Sequence, residues 1–145
     1  MDHLAIMSKK GKLLEKILLG IKTIESRWSK HKIPPLEKIT AGDEIYFKET
    51  GEAVTVKAKV VQVIFYKDLN YEKIKEILLE YGKGICADMS YADQIKHKKY
   101  CTLIFLEKVE KVEPFAVDKQ GYGMGTAWIT IDAIDKLRAD PNTNR

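Results

Sequence analysis

A long alternating stretch, residues 54–66, constrains the fold of this chain more than any other part of the sequence. In its first half the apolar residues occupy every second position: Val54, Val56, Ala58 and Val60. That period of two is typical of a β-strand with one buried face. In its second half the apolar positions move by one residue, to Val61, Val63 and Phe65. Such a shift indicates a β-bulge, and bulges help a sheet to curl into a barrel.

Shorter apolar runs and helical patterns place the other elements around this strand. Further strands are predicted over residues 3–7, 22–28, 44–49, 101–114 and 127–130. Helices are predicted over residues 12–19, 71–81 and 132–139, with a short one starting at Ser90. Gly20 and Gly82 are expected to end the first two helices, and Asn70 to cap the second. This order predicts an α+β, mainly β fold, a curled barrel of about five or six mostly antiparallel strands with three or four flanking helices.

Length and composition indicate a soluble globular protein. The 145 residues fit one domain, which we expect to span residues 1–140 and to be followed by a frayed tail, residues 141–145. Apolar residues make up 45% of the chain and charged residues 32%, which is unlike a disordered chain. No apolar run approaches the roughly 18 residues of a membrane span, and no signal peptide is recognisable. We therefore expect a cytoplasmic protein without a membrane partner.

The cysteine and histidine residues give no sign of a metal site or of another cofactor. Cys86 and Cys101 lie in or beside apolar segments and are expected to be buried free thiols, since disulfides are uncommon in the cytoplasm. None of the three histidines has metal-ligand spacing with either cysteine. The net charge of +4 is compatible with nucleic-acid binding but does not require it. The sequence does not indicate an oligomeric state.

Three charged residues follow the first helix within a few positions: Lys22, Glu25 and Arg27. On a regular strand, Glu25 and Arg27 share a face and can pair. Lys22 can join them only if the backbone turns directly after Gly20. Solvated charges on an edge strand are the simplest interpretation. The forced turn, the neighbouring Trp28 and the proline-containing loop that follows favour a site instead.

The motif G-x-K-x-x-E-x-R, residues 20–27, resembles the signature of the ASCH (activating-signal-cointegrator homology) family. The G-D-x-I-x-F pattern of residues 42–47 and the long strand strengthen the resemblance, which spans residues 4–106. The segment around Trp128 is also similar to some members. The resemblance implies a PUA-like β-barrel with a cleft at its mouth, lined by the signature residues, and an association with RNA or modified nucleosides.

A nucleotide in such a cleft would find suitable partners. Arg27 offers a planar fork of donors to a phosphate or a base edge, and Trp28, Trp128 or Tyr122 could stack on a base. Core packing is the alternative for both tryptophans, whereas Tyr122 lies in a glycine-rich loop and is expected to be exposed on a lip of the cleft. The candidate phosphate contacts are five lysines: Lys30, Lys32, Lys96, Lys98 and Lys99. The last three alternatively form the basic end of a helix.

Two classes of function remain open. One is a binding module for RNA, a nucleotide or a modified nucleoside, with Lys22 and Arg27 among its contacts. The other is a hydrolase or ribonuclease that uses the same cleft. The resemblance implies an amidohydrolase branch that deacetylates N4-acetylcytidine with a lysine, a threonine and a downstream glutamate. Lys22 matches the lysine, Glu25 stands at the threonine position, and Asp88 is the nearest candidate for the downstream carboxylate. In that case Lys22 or Glu25 would be the base, and Arg27 would stabilise an oxyanion.

Overall fold

The computed structural model describes residues 1–140, and its main feature is one curled six-stranded sheet. The strands are β1 (Asp2–Met7), β2 (Ile24–Ser29), β3 (Glu44–Glu49), β4 (Val54–Tyr66), β5 (Tyr100–Phe115) and β6 (Trp128–Ile131). The helices are α1 (Leu13–Leu18), α2 (Tyr71–Ile85) and α3 (Tyr91–Ile95), with 3-10 turns at Lys10–Lys12 and Ile134–Leu137. The predicted α+β, mainly β fold is confirmed. The expected fraying of residues 141–145 lies outside the described residues.

The strands follow the order β2-β5-β4-β3-β1-β6. β1 and β3 run parallel, and every other neighbouring pair is antiparallel. β2 and β6 are therefore the two edges of the sheet. Curling brings these edges close enough for a side chain of β2 to bond the residue before β6, although no ladder joins the two strands in the described part of the chain. The candidate site lies in this gap.

The bulge predicted in β4 is present. Val60 pairs with Leu106 and Gln62 with Phe105, so one extra residue of β4 lies between the two pairs. After the bulge β4 faces both cores, because Val63 packs against the barrel interior as Val60 does, whereas Ile64 packs with the cluster under α2. The residue at the bulge, Val61, is exposed. The apolar residues after the bulge are therefore shared between both faces of the strand.

Three apolar clusters hold the sheet and the helices together. The interior of the barrel contains fully buried residues from α1, β3 and β5: Ile17, Ile45, Phe47 and Ile104. A second cluster joins α2 and α3 to β2 and β5: Ile24, Ile74, Ile77, Ile95 and Leu103. A third packs the last 3-10 turn against β1 and β6: Leu4, Ile129, Ile134 and Leu137. The second cluster places the carboxyl end of α2 beside the start of β2, where the Thr23 amide donates to the Gly84 carbonyl at 3.0 Å.

Helix α2 begins as predicted but ends later. Its N-cap is Asn70, whose side chain accepts a hydrogen bond from the Lys73 amide at 2.8 Å. The helix continues past Gly82 to Ile85, and its C-cap is Cys86, which has a left-handed φ of 67°. The prediction that Gly82 ends the helix is wrong because this glycine allows close packing. A Cβ at this position would lie 2.6 Å from the carbonyl oxygen of Ala87.

Replacing Gly82 with alanine is therefore expected to destabilise the fold, although alanine is the better helix former. The new methyl group would meet the Ala87 carbonyl, and a backbone atom cannot move aside as the end of a side chain can. Overpacking of this kind costs about 1–3 kcal/mol, compared with roughly 1 kcal/mol gained in helix propensity. Urea denaturation measures the difference. Glu80→Ala, at an exposed position of the same helix, is the control and should change stability little. A stabilised Gly82→Ala protein would contradict the close approach.

Two other helical boundaries differ from the predictions. The helix predicted over residues 132–139 is only the 3-10 turn Ile134–Leu137, because Arg138 is extended and forms an isolated β-bridge with Val117. The helix predicted over residues 12–19 is α1, preceded by a separate turn in which Gly11 is left-handed. Strand β2 starts at Ile24 rather than at residue 22, which frees Lys22 from strand geometry.

Both cysteines are free thiols. Cys101 is fully buried, and burial raises the pKa of its thiol. Cys86 is only partly buried, because it lies at the end of α2 rather than in a strand.

Within residues 1–140, every helix is too short or too polar to cross a membrane.

Candidate functional site

The charged motif lies where the chain turns out of α1 into β2. Gly20 adopts a left-handed conformation, φ 75°, as predicted for the end of α1. The amides of Ile21 and Lys22 both donate to the Lys16 carbonyl, at 2.9 and 3.0 Å, and close the turn. This turn directs the Lys22 side chain towards Glu25, which strand alternation alone would not do.

Lys22 is a buried ammonium group with a partner for each of its three hydrogens. Only 2% of the residue is exposed. Its Nζ donates to the carbonyl oxygens of Ile24 at 2.9 Å and Ile85 at 2.7 Å, and it lies 3.4 Å from Glu25 Oε1. Ile85 is the last residue of α2, where the helix dipole favours a cation. Lys22 therefore holds helix, strand and carboxylate together, and all three of its polar neighbours are protein oxygens.

Glu25 is a buried carboxylate between two cations. Its Oε2 accepts a hydrogen bond from Arg27 Nη2 at 3.1 Å, and its Oε1 accepts one from the Ser26 amide at 3.1 Å. Burial alone would raise the pKa of this carboxyl, but the charges of Lys22 and Arg27 outweigh burial and hold the pKa below its usual value. Glu25 is therefore ionised at neutral pH. The pairing of Glu25 with Arg27 that strand alternation predicts is confirmed.

Arg27 connects the two edges of the sheet. Its Nη1 donates to the carbonyl of Ala127, just before β6, at 3.3 Å, and its Nη2 donates to the Ile6 carbonyl of β1 at 3.4 Å. The guanidinium carbon lies 5.0 Å from the centroid of the Trp128 ring, a favourable cation–π arrangement. The side chain is 20% exposed, and its Nε–H has no hydrogen-bond partner within residues 1–140. A ligand can therefore still bind this group.

A groove runs along the length of β2, and we call it the seam. It consists of three adjoining pockets. The acidic pocket, about 310 Å³, lies at the start of β2 and is lined in part by Lys22, Glu25, Asp88, Ser90 and Gln94. The central pocket, about 300 Å³, is lined in part by Met7, Glu25, Arg27, Trp28, Tyr91 and Lys98. The apolar pocket, about 480 Å³, lies at the end of β2 and is lined in part by Trp28, Ile33, Pro34, Leu36, Tyr122 and Trp128.

Neighbouring pockets share walls, and charge changes along the seam. Glu25 lines both the acidic and the central pocket, and Arg27 lines both the central and the apolar pocket. The acidic pocket combines one ammonium group, Lys22, with two carboxylates, Glu25 and Asp88. The central pocket has two cations, Arg27 and Lys98, beside Glu25. Among the described residues, Arg27 is the only charged one that lines the apolar pocket. An anion is thus favoured at the centre, and an apolar ring at the end.

The three predicted aromatic residues all line the apolar pocket. Trp28 is partly buried, donates from Nε1 to the Ser26 hydroxyl at 3.0 Å and packs edge-on against Tyr91. Trp128 belongs to the barrel core and is 6% exposed. It therefore packs in the core and also lines the apolar pocket. Tyr122 is exposed, as predicted.

The five predicted phosphate contacts do not behave alike. Lys98 is partly buried and lines the central pocket. The others are exposed and line none of the three pockets: Lys30, Lys32, Lys96 and Lys99. The Lys99 amide donates to the Ser29 carbonyl at 2.9 Å, so the basic end of α3 lies beside the end of β2. These lysines flank the seam rather than form its walls.

Asp88 lies in the acidic pocket but also has a structural task that the sequence did not reveal. Its Oδ1 accepts a hydrogen bond from the Ser90 amide at 2.9 Å and another from the Ser90 hydroxyl. The Ser90 hydrogen bonds lower the pKa of this exposed carboxyl. Asp93, in the first turn of α3, accepts a hydrogen bond from the Tyr71 hydroxyl at 2.7 Å. The turn into α3 is thus held by Asp88.

Sequence reasoning missed a buried polar chain behind the apolar pocket. His3 is fully buried in β1; its Nδ1 lies 3.1 Å from Trp128 Nε1, and its Nε2 lies 2.8 Å from Asp43 Oδ2. Because an indole N–H can only donate, His3 Nδ1 is the acceptor and Nε2 carries the proton that is donated to Asp43. Burial lowers the pKa of His3 and outweighs the opposing effect of Asp43, which agrees with a neutral ring. The signal in the sequence is a single histidine within an apolar run.

No family model matches the chain, and no curated protein matches it.

The fold itself is found among solved structures. The crystal structure of ASCH from Zymomonas mobilis is similar with a TM-score of 0.68 at 12% identity, over 93% of this chain and 90% of that one. A mutant form of that protein gives a TM-score of 0.66 at 14% identity, over 90% and 89% of the two chains. The N-terminal domain of McrB from Staphylothermus marinus gives 0.56 at 14% identity, over 93% and 90%. The chain therefore has the fold of the Zymomonas mobilis ASCH structure, as the signature motif implies.

Proposed function

We propose that this chain is an ASCH-family binding protein whose seam holds a nucleotide of RNA, a free nucleotide or a modified nucleoside. The observation that carries the proposal is the apolar pocket that adjoins the partly exposed guanidinium group of Arg27. Its volume of about 480 Å³ lies within the roughly 300–1,000 Å³ of small-molecule sites. Aromatic and aliphatic walls beside an arginine suit a base with an attached phosphate.

Binding is favoured over catalysis by the surroundings of Lys22. The amidohydrolase hypothesis needs a base directed at substrate or water, whereas Lys22 Nζ is directed at three protein oxygens at 2.7–3.4 Å. Lys22 and Glu25 are instead suited to hold β2 in place, so that Arg27 faces the groove. In this proposal Arg27 reads the head group of the ligand.

Hydrolysis or RNA cleavage is a second candidate function, supported by one observation. Glu25 and Asp88 line the same pocket, and Glu25 is held ionised by its neighbours. A carboxylate in this position could act as a general base towards water. Incubation with N4-acetylcytidine, other acylated nucleosides and RNA tests it. We expect binding without product; turnover that disappears in Asp88→Asn would replace the binding proposal by the hydrolase.

Two sets of substitutions should change RNA binding in different ways. Replacing Lys96, Lys98 and Lys99 with glutamine should weaken binding of all single-stranded RNAs and flatten the salt dependence, because each lost phosphate contact removes about 0.7 from the slope. Arg27→Gln should weaken binding by about 1–3 kcal/mol for a preferred base or nucleoside and lower the slope by no more than the roughly 0.7 of a single phosphate contact. Fluorescence titrations at several salt concentrations measure both effects.

Two results would contradict this assignment. An unaltered salt slope in the lysine variant would mean that the basic end of α3 is only a solvated helix terminus, and small nucleosides would become the better ligand class. Unchanged affinity in Arg27→Gln would remove the guanidinium from the binding site. Because Arg27 also bridges the sheet edges, a thermal melt of the variant must accompany its titration.

A further inference from the structure

The charge distribution along the seam limits how a nucleic acid can lie in it. We infer that the seam takes the terminal nucleotide of an RNA strand, or a free nucleotide, and excludes the interior of a strand. This inference rests on the proposed function, since it concerns the same groove. It adds which part of an RNA the groove accepts.

The base belongs in the apolar pocket. That pocket is the largest of the three, and Trp28, Tyr122 and Trp128 give it aromatic walls. No carboxylate of the described residues lines it. Burial of a base against aromatic side chains is favourable and tolerant of sequence.

The phosphate attached to that base then meets the central pocket. Arg27 lines both pockets, so a ligand that fills the apolar pocket already touches the guanidinium. Lys98 adds a second cation on the same side. The Nε–H of Arg27 has no partner within residues 1–140 and can donate a charge-assisted hydrogen bond to the phosphate.

The acidic pocket stops the strand beyond this point. A strand that continued past the central pocket would bring its next phosphate towards Glu25 and Asp88. The charges of Lys22 and Glu25 offset each other across their 3.4 Å contact, so the exposed carboxylate of Asp88 is the unbalanced charge of this pocket. That carboxylate repels a second phosphate.

Circular and linear RNA of one sequence test this inference directly. The probes are a short single-stranded RNA with a 5′-phosphate, the same RNA with a 3′-phosphate, the circularised RNA, and the nucleoside monophosphates. At least one linear form should bind about tenfold more tightly than the circle, given the strength of charge repulsion near a protein surface. The preferred linear form identifies which end enters. Equal affinity of the circle and both linear forms would overturn the inference, whereas no binding of any probe would mean that the proposed function fails.

The role of Asp88 is tested by a matched pair of variants. Asp88→Asn removes the charge and keeps an oxygen that can accept from Ser90, so the turn into α3 should persist. It should raise the affinity for the circle several-fold and narrow its difference from linear RNA. Asp93→Asn makes the same change of charge on an exposed residue that does not line the acidic pocket, and it should leave that difference unchanged. Equal effects of both variants would overturn the inference, since only net charge would then matter.

Discussion

Glu25→Gln is expected to destabilise the protein by about 3–5 kcal/mol, the cost of breaking a buried ion pair by removing one partner. The carboxylate is 3% exposed, and it neutralises Lys22, which is 2% exposed, together with Arg27. Glutamine has nearly the same shape, but it leaves a buried ammonium group without a counter-charge. In addition, the NH₂ group of the glutamine side chain would face the N–H donors of either Lys22 or Arg27, and two donors cannot form a hydrogen bond with each other. Urea denaturation at neutral pH measures the loss.

The pH dependence of this loss separates charge from shape. The pKa of Glu25 is lower in the folded state than its unfolded value of about 4.5. Ionisation of Glu25 therefore stabilises the fold fully at a pH above the unfolded pKa. This stabilisation is lost as the pH falls through the folded pKa. The difference between wild type and Glu25→Gln should therefore shrink in acid. Glu76→Gln, which removes the exposed partner of Lys73 on α2, should change little at any pH. A constant difference from neutral pH to strong acid would show that the charge of Glu25 is not responsible.

Lys22 completes the experiment as a double-mutant cycle. Lys22→Met removes the cation but leaves the carbonyls of Ile24 and Ile85 without their donor. The two single substitutions disturb one network, so the double variant should lose clearly less stability than the two losses added together. Additive losses would mean that Lys22 and Glu25 act independently.

The local parts of this site could be predicted from the sequence. The pairing of Glu25 with Arg27 follows from the period of a strand, and the turn that admits Lys22 follows from Gly20. The bulge in β4 follows from the shift in its apolar pattern. Each of these depends on residues within a few positions of one another, where geometry is set by the backbone itself.

The long-range parts could not be predicted. The Lys22 partner at Ile85 depends on α2 continuing past Gly82, and that depends on a packing distance to Ala87 which no local pattern encodes. The bridge from Arg27 to Ala127 spans 100 positions of sequence. Curling of the whole sheet brings these two residues together. The seam is therefore a product of tertiary packing, and the signature motif predicts only its charged residues Lys22, Glu25 and Arg27.

His3→Phe should remove a pH dependence of stability that the wild-type protein shows below about pH 6.5, the ordinary pKa of histidine. Burial lowers the pKa of His3 in the folded state, whereas Asp43 acts in the opposite direction; of the other nearby charges, the amino terminus lowers it and Asp2 raises it. The folded state thus binds fewer protons than the unfolded state. His3 stabilises the fold fully above its unfolded pKa, and this contribution is lost as the pH falls through the folded pKa. Urea denaturation between pH 7.5 and about pH 5 follows the loss.

At neutral pH the same substitution should cost about 1–3 kcal/mol, because the indole N–H of Trp128 loses its acceptor and Asp43 loses a donor. Trp128 is a wall of the apolar pocket, so nucleotide binding should weaken in parallel. His31→Gln and His97→Gln are matched controls at exposed positions, and both should retain the wild-type pH dependence. If the stability of the wild-type protein did not change between pH 7.5 and 5, His3 would titrate alike in both states. That result would contradict the conclusion that His3 is a buried neutral ring that holds Trp128 against Arg27.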